Sequence, residues 1–135
     1  MKLVYICAPY GAPTHEGMTE NTRRACMLNL LAADLGYAPQ VVHAGIHMGA
    51  YGSDADAATR RRGLEIDFAW IDAVAQLNGE LWVLLTAALT LSSGSREEVG
   101  RFLTEAYSRT TRIKWFRWDD ATDRPVETTM PEGLL

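Results

Sequence analysis

The chain has few of the features that mark disulfide-rich, membrane-spanning or nucleic-acid-binding proteins. Its 135 residues include two cysteines, Cys7 and Cys26, too few for a disulfide framework and without a metal-ligand spacing. No apolar run approaches the roughly 20 residues of a membrane-spanning helix, and no signal-peptide pattern is found. The formal net charge of -4 does not favour binding to a phosphate backbone. We therefore expect a cytoplasmic protein with no membrane partner, no nucleic-acid partner and no metal site.

The composition that remains is that of an ordinary globular domain. Hydrophobic residues make up 47% of the chain and charged residues 22%, and the length suits one domain. We find no internal repeat and no interdomain linker. We assign residues 1–118 to a single domain and residues 119–135 to a C-terminal tail, which either adds a short edge strand near Val126 or docks loosely.

Short apolar stretches alternate along the chain with helical patterns. Strands are predicted at 3–7, 40–42, 81–85 and 113–116, and helices at 19–35, 58–77 and 95–108. This alternation predicts an α/β fold around a four- or five-stranded parallel sheet. Ligands of such sheets bind outside the carboxyl ends of the strands. The loops expected at that edge are 8–18, 43–57 and 86–94.

The segment 92–98, Ser-Ser-Gly-Ser-Arg-Glu-Glu, joins a predicted strand to a predicted helix. Small residues at such a junction leave backbone N–H groups open to an anion, and the helix N-terminus adds partial positive charge. Glu98 lies about one turn inside the helix, where that field is expected to keep its carboxylate ionised and suited to act as a nucleophile. The same spacing also forms a capping box between Ser95 and Glu98. Spacing alone favours the cap.

Motifs spread over residues 1–110 resemble the nucleoside 2-deoxyribosyltransferase superfamily, and most closely its small members. Their order and spacing carry the resemblance, because each motif is short. In chain order they are Tyr5-Ile6-Cys7-Ala8-Pro9-Tyr10, Asn21 on the first helix, Pro39 and His43 near the second strand, Arg62-Gly63 and Asp67 on the second helix, Glu80-Leu81-Trp82, and Ser92-x-Gly94-x-x-x-Glu98. The resemblance implies a flavodoxin-like three-layer sandwich.

The resemblance also implies cleavage or exchange of an N-glycosidic bond without a cofactor. In the superfamily, the glutamate four residues after the glycine attacks the anomeric carbon of a nucleoside or nucleotide and displaces the base. Water or a second base then takes the sugar from the glycosyl–enzyme ester. By position, Glu98 is that nucleophile and Tyr5 is the tyrosine that contacts the nucleophile and the sugar. An aspartate on the second helix handles the base or its proton, and both Asp67 and Asp72 fit that position.

The resemblance further implies the substrate-binding residues and an oligomer. Relatives that hydrolyse nucleoside 5′-monophosphates carry serine two residues before the glycine, as here at Ser92, whereas transferases of free nucleosides carry aspartate. A serine hydroxyl with the Gly94 and Ser95 amides accepts a phosphate, so a nucleotide is favoured over a nucleoside. Pockets in the superfamily are often completed by a neighbouring subunit, and we expect a homo-oligomer, a dimer or larger. The expected substrate-binding residues are Ala8, Pro9, Tyr10, Gly11, Asn21, His43, Ser92, Gly94 and Ser95.

Two other interpretations of the same residues stay open. In the first, the chain is a non-catalytic binding protein for a nucleotide or a nucleotide-derived signal. The loop 86–91 favours this interpretation, because it lacks the acidic residue often found there in the superfamily. In the second, the fold is flavodoxin-like, Glu98 only caps its helix and no ligand binds. Release of free base from a mixed nucleotide pool distinguishes an enzyme from a binding protein. A nucleotide-induced thermal shift distinguishes a binding protein from one that binds no ligand.

Overall fold

One five-stranded sheet organises the chain. The structure is a computed structural model that describes residues 1–42, 57–104 and 112–135. Its elements are β1 (Leu3–Cys7), α1 (His15–Asp34), β2 (Ala38–Gln40), α2 (Ala57–Gln76), β3 (Glu80–Leu84), α3 (Ser93–Thr104), β4 (Ile113–Asp119) and β5 (Arg124–Thr128). The strand order is β2-β1-β3-β4-β5.

The sheet is parallel except at one edge. β1, β2, β3 and β4 pair in parallel, whereas β5 pairs antiparallel with β4 and brings Val126 opposite Arg117. The predicted α/β class is confirmed, and the fully parallel sheet is corrected. The fifth strand is antiparallel because a turn of only a few residues joins it to β4, and a parallel pairing needs a crossover of a dozen residues or more.

The helices cover both faces of the sheet. α1 packs Ala25 and Leu28 against one face, where Trp82 is fully buried. α2 and α3 pack Ile71 and Phe102 against the other face. Successive side chains of a strand point to opposite faces, so β1 and β3 supply apolar side chains to both cores, which explains their unbroken apolar sequences. None of the helices within the described residues is long and apolar enough to cross a bilayer.

α1 begins earlier than the sequence analysis predicts. Its first residue is His15 rather than residue 19, because the Oγ1 atom of Thr14 accepts a hydrogen bond from the Gly17 amide at 3.0 Å and so caps the helix. Thr19, the expected cap, therefore lies inside α1. The predicted stop is confirmed: Gly36 has a φ of +89°, a conformation that glycine adopts without strain.

The other boundaries differ from prediction by one to a few residues. β2 lies two residues before the predicted strand, because its register with β1 starts where the Ala38 amide donates to the Lys2 carbonyl at 2.9 Å. Pro39 fits there since β2 is an edge strand. α2 and β3 each begin and end one residue early, and β4 runs three residues further than predicted. Residues 43–56 and the predicted end of α3 at 108 lie outside the described residues.

Candidate functional site

A cleft with a volume of about 420 Å³ opens beside the loop that follows β1, between α2 and the first turns of α3. We call it the main cleft. Its position at the carboxyl end of a parallel strand is the one expected for this class of sheet, and its size suits a small-molecule ligand. The described residues that line it are Ala8, Tyr10, Gly11, Thr59, Arg60, Gly63, Leu64, Asp67, Ser92, Ser93, Gly94, Ser95 and Glu98.

The start of α3 frees Glu98 from the role of a cap. Ser92 is the capping residue: its Oγ accepts a hydrogen bond from the Ser95 amide at 3.2 Å and donates to Ser95 Oγ at 2.8 Å. The capping box between Ser95 and Glu98 is therefore wrong. Glu98 is 5% exposed and lines the main cleft, and its Oε2 has no hydrogen-bond partner among the described residues. A buried polar atom without a partner is costly and marks a group whose function needs explanation.

Asp67 and Tyr5 accompany Glu98. Asp67 is 8% exposed and lines the same cleft, and its Oδ1 also lacks a hydrogen-bond partner within the described residues. Tyr5 is fully buried on β1, close enough to Glu98 and Asp67 for their charges to raise the pKa of its phenol in addition to the larger effect of burial. Its hydroxyl is a third buried polar group without a partner in the described part of the chain. The structure thus brings three of the predicted site residues together.

Burial changes the protonation of the two carboxyls. Removal from water is the main reason that the pKa of Glu98 is raised well above its usual value, and the charge of Asp67 raises it further. Burial likewise raises the pKa of Asp67 to about 6. The expectation that the helix N-terminus keeps Glu98 ionised is therefore wrong, because desolvation and a like charge outweigh that field. Because the charge of Asp67 raises the pKa of Glu98, the two acids titrate as a pair, and burial favours the state in which the pair holds a proton.

Asp72 does not reach the main cleft. Its two carboxylate oxygens accept hydrogen bonds from Arg101 at 2.8 Å and 2.7 Å. Five residues separate it from Asp67, which is about 140° around an α-helix, so one helix face cannot present both. Of the two aspartates that the sequence left open, Asp67 therefore lines the cleft and Asp72 forms an ion pair between α2 and α3.

The loop after β1 divides its residues between two clefts. Ala8, Tyr10 and Gly11 line the main cleft, whereas Pro9 and Asn21 line a neighbouring cleft of about 180 Å³. The side-chain amide of Asn21 donates to the Tyr10 carbonyl at 3.0 Å and to the Gly11 carbonyl at 3.4 Å. Asn21 therefore holds the loop in place from α1 and does not line the main cleft.

The other predicted substrate-binding residues lie either in the segment at the start of α3 or outside the described residues. Ser92, Gly94 and Ser95 all line the main cleft. His43 lies outside the described residues. Within residues 1–42, 57–104 and 112–135, no group of three or more His, Cys, Asp or Glu side chains is arranged to hold a metal ion.

α2 contributes lining residues that the sequence analysis did not assign to the site. Thr59, Arg60 and Leu64 line the main cleft beside Gly63 and Asp67. Steps of three and four residues connect positions 60, 63, 64 and 67, the spacing of one helix face. Once Asp67 is taken as a site residue, that spacing is the signal that finds Arg60.

Fold and site together define an α/β protein with a ligand-sized cleft and a buried acidic pair at the carboxyl end of a mostly parallel sheet. The chain belongs to the family described as a domain of unknown function, DUF7768, whose sequence profile matches residues 2–114. This match includes all the described residues that line the main cleft. Searches of curated proteins and of solved structures gave no significant match.

Proposed function

We propose that the chain cleaves the N-glycosidic bond of a nucleoside or a nucleoside 5′-monophosphate, or exchanges its base, with Glu98 as the nucleophile. The carboxyl of Glu98 carries the proposal: it is buried, it lines a ligand-sized cleft, and its Oε2 lacks a partner among the described residues. A sugar bound over this oxygen would supply the contact that the protein does not.

The topology supports this proposal. The strand order β2-β1-β3-β4-β5, with helices on both faces, corresponds to the flavodoxin order. β5 departs from that arrangement, because it runs antiparallel to β4 and a short turn, not a helix, joins the two strands. In flavodoxin-like sheets the ligand binds between the first and third strands at their carboxyl ends, and the main cleft begins at the loop that follows β1.

In the proposed reaction, the Glu98 carboxylate attacks the anomeric carbon while the bond to the base breaks. A glycosyl ester forms, and the base leaves with the electron pair of the broken bond and takes a proton from Asp67. Asp67 then accepts a proton from water, which attacks the anomeric carbon; the bond from this carbon to the Glu98 oxygen breaks, and the Glu98 carboxylate is restored. A second base in place of water gives exchange. When Glu98 is ionised, the nearby Tyr5 hydroxyl would donate a hydrogen bond to it and fix its orientation.

The pair needs one proton for this reaction. The productive distribution has the proton on Asp67 and the charge on Glu98. Burial raises the pKa of Asp67 to about 6, so this acid retains a protonated fraction near neutral pH. A positively charged sugar in the transition state favours the ionised form of Glu98, and the shared proton moves to Asp67 as the reaction proceeds.

Binding of a nucleotide or nucleotide-derived signal without turnover is the second candidate. The raised pKa of Glu98 favours it, because a protonated carboxyl is a hydrogen-bond donor and a poor nucleophile. In that case Glu98 and Asp67 would hold the hydroxyl groups of a sugar and the ligand would leave unchanged.

Base release tests the proposal. The wild-type protein is incubated with a mixture of nucleosides and nucleoside 5′-monophosphates, and free bases are measured by chromatography. Glu98→Gln should lower the rate at least about a thousandfold, as expected for loss of a nucleophile. Glu97→Gln is the matched control, because Glu97 is the adjacent residue and is exposed, and it should retain the wild-type rate.

The same assay tests Asp67 and separates the enzyme from the binding protein. Asp67→Asn should lower the rate about a hundredfold or more, the usual effect of losing a general acid. A Glu98→Gln variant with full activity would refute the proposed nucleophile. Retention of an intact nucleotide by the wild-type protein, with no free base from any component, would support the binding protein instead.

A further inference from the structure

Arg60 is the only cationic side chain among the described residues that line the main cleft. It is exposed, and it makes no ion pair or side-chain hydrogen bond to another described residue. Asp67 follows it by seven residues on the same helix, or about 10 Å along the axis at 1.5 Å per residue. The cleft therefore carries a positive charge at one end and the buried acidic pair at the other.

The first turn of α3 adds hydrogen-bond donors to the same cleft. The amides of Ser93 and Gly94 are the first two of the helix, so they have no carbonyl partner within it, and no acceptor is found for them elsewhere in the described residues. A Cβ atom built on Gly94 meets no atom within 4 Å, so the space beside it is open. The Ser95 amide is bonded to Ser92 Oγ, which corrects the expectation that it is open to a phosphate.

The unpartnered Oε2 of Glu98 independently marks this cleft as a ligand site, since the side chain is 5% exposed. We propose that Arg60 selects ligands that carry a phosphate monoester, which it holds with the Ser93 and Gly94 amides while the sugar lies over Glu98. The inference rests on the proposed function for the position of the sugar, and it deepens that function by naming the residue that sets the substrate class.

Charge distribution explains why the phosphate lies at the arginine end. Phosphate and a guanidinium match in geometry and form two parallel, charge-assisted hydrogen bonds. The carboxyls of Asp67 and Glu98 repel an anion whenever the pair carries charge. A phosphorylated ligand is therefore held in one direction, with its neutral sugar over the acids. A free nucleoside gains nothing from Arg60.

Calorimetric titration tests this inference without any need for turnover. Nucleoside 5′-monophosphates and the matching nucleosides are titrated separately into wild-type protein and into Arg60→Gln. We expect at least one monophosphate to bind the wild type about tenfold or more tightly than its nucleoside, as one charge-assisted pair provides. Arg60→Gln should reduce this ratio to near one. Arg61→Gln and Arg62→Gln are matched controls, because both residues are exposed neighbours on α2 and do not line the cleft.

Three results would overturn the role of Arg60: a wild-type ratio near one, including the case in which no monophosphate binds; a ratio in Arg60→Gln equal to that of the wild type; or an equal loss in the control variants. The failure of the proposed function is distinguishable. If no base is released but the ratio depends on Arg60, the phosphate site stands and catalysis does not. If base is released equally from nucleosides and monophosphates, and Arg60→Gln changes neither rate, catalysis stands and the phosphate site does not.

Discussion

Glu98 is the residue at which local and tertiary forces oppose each other. A helix N-terminus stabilises a nearby carboxylate by about 0.3–1 kcal/mol. Removing a carboxylate from water costs several kcal/mol after relaxation. Burial therefore wins, and the pKa of Glu98 is raised although it lies in the second turn of α3. The position of Glu98 near a helix N-terminus is visible in the sequence. Its burial is not, because burial depends on the packing of β1 and α2 around it.

The first prediction is that Glu98→Gln stabilises the protein at alkaline pH. A carboxyl whose pKa is higher in the folded than in the unfolded state lowers stability as pH rises between the two values. The glutamine removes this loss, so its melting temperature at pH 8 should exceed that of the wild type by about 3 °C or more. The difference should become small near pH 4, where the carboxyl is mostly protonated in both states.

Differential scanning calorimetry from pH 4 to pH 8 measures this difference, with Glu97→Gln as the control for loss of an exposed carboxylate. A stabilisation that does not change with pH, or a lower melting temperature at pH 8, would contradict the assignment of a buried carboxyl with a raised pKa.

Residue positions within the site were only partly predictable. Glu98 and Tyr5 follow from the resemblance, and the structure brings them together. Asp67 and Asp72 were indistinguishable, because the choice depends on how α2 is rotated about its axis against the sheet. Whether Ser95 caps α3 or lines the cleft was also not predictable. Ser92, three residues earlier, offers an equivalent hydroxyl, and it is Ser92 that caps the helix.

At the scale of elements, the cap of α3 determines what Glu98 is free to do. The Ser92 hydroxyl takes the amide that a capping glutamate would otherwise share, and it also bonds to the buried Ser95 hydroxyl. This local arrangement allows the carboxyl to remain in the cleft. The proposed catalytic function of Glu98 therefore depends on the capping of α3 by Ser92.

The second prediction follows from this cap. Ser92→Ala should lower the free energy of unfolding by about 1 kcal/mol, because it leaves the Ser95 amide without its acceptor. Ser93→Ala is the matched control, since Ser93 is exposed and its side chain makes no hydrogen bond to a described residue. Urea unfolding gives both values. Equal losses in the two variants would show that Ser92 is not the cap.

Elements buried on both faces were the most predictable. β1 and β3 were found within one residue from apolar runs alone, because a strand covered on both sides needs apolar residues at every position. β2 was misplaced by two residues, since it is a short edge strand whose register depends on β1. The start of α1 was missed because Thr14 and Thr19 both satisfy the preference for a cap, and only the Gly17 contact distinguishes them.

At the scale of the whole molecule, the sheet order brings the site together. β1 lies between β2 and β3, so the loop after β1 meets α2 and α3 on one side and Asn21 of α1 on the other. The alternation of strands and helices predicted the α/β class and the edge of the sheet that holds the cleft. The order of strands and the direction of β5 were not predictable, because they depend on pairings far apart in the chain.

The third prediction concerns assembly: we propose that the chain forms a homo-oligomer, a dimer or larger. Trp70 on α2 is 42% exposed, and tryptophan is enriched at protein–protein interfaces, whereas leucine is not. Sedimentation velocity should give at least twice the mass of one chain, and Trp70→Lys should reduce it. Leu30→Lys on α1 is the control, because Leu30 is 60% exposed on the opposite face of the sheet. A wild-type monomer at tens of micromolar would contradict the proposal.

The nucleophilic role of Glu98 is tested most directly by the mass of the protein during turnover of a 2′-fluoro analogue. The analogue is made from a nucleoside or nucleotide from which the protein releases free base. The fluorine slows hydrolysis of a glycosyl ester because it disfavours the positively charged sugar in the transition state. We predict one equivalent of free base for each protein molecule that gains the sugar, with the added mass on the peptide that contains Glu98. Base release without an adduct, or an adduct on another residue, would contradict the assignment of Glu98 as the nucleophile.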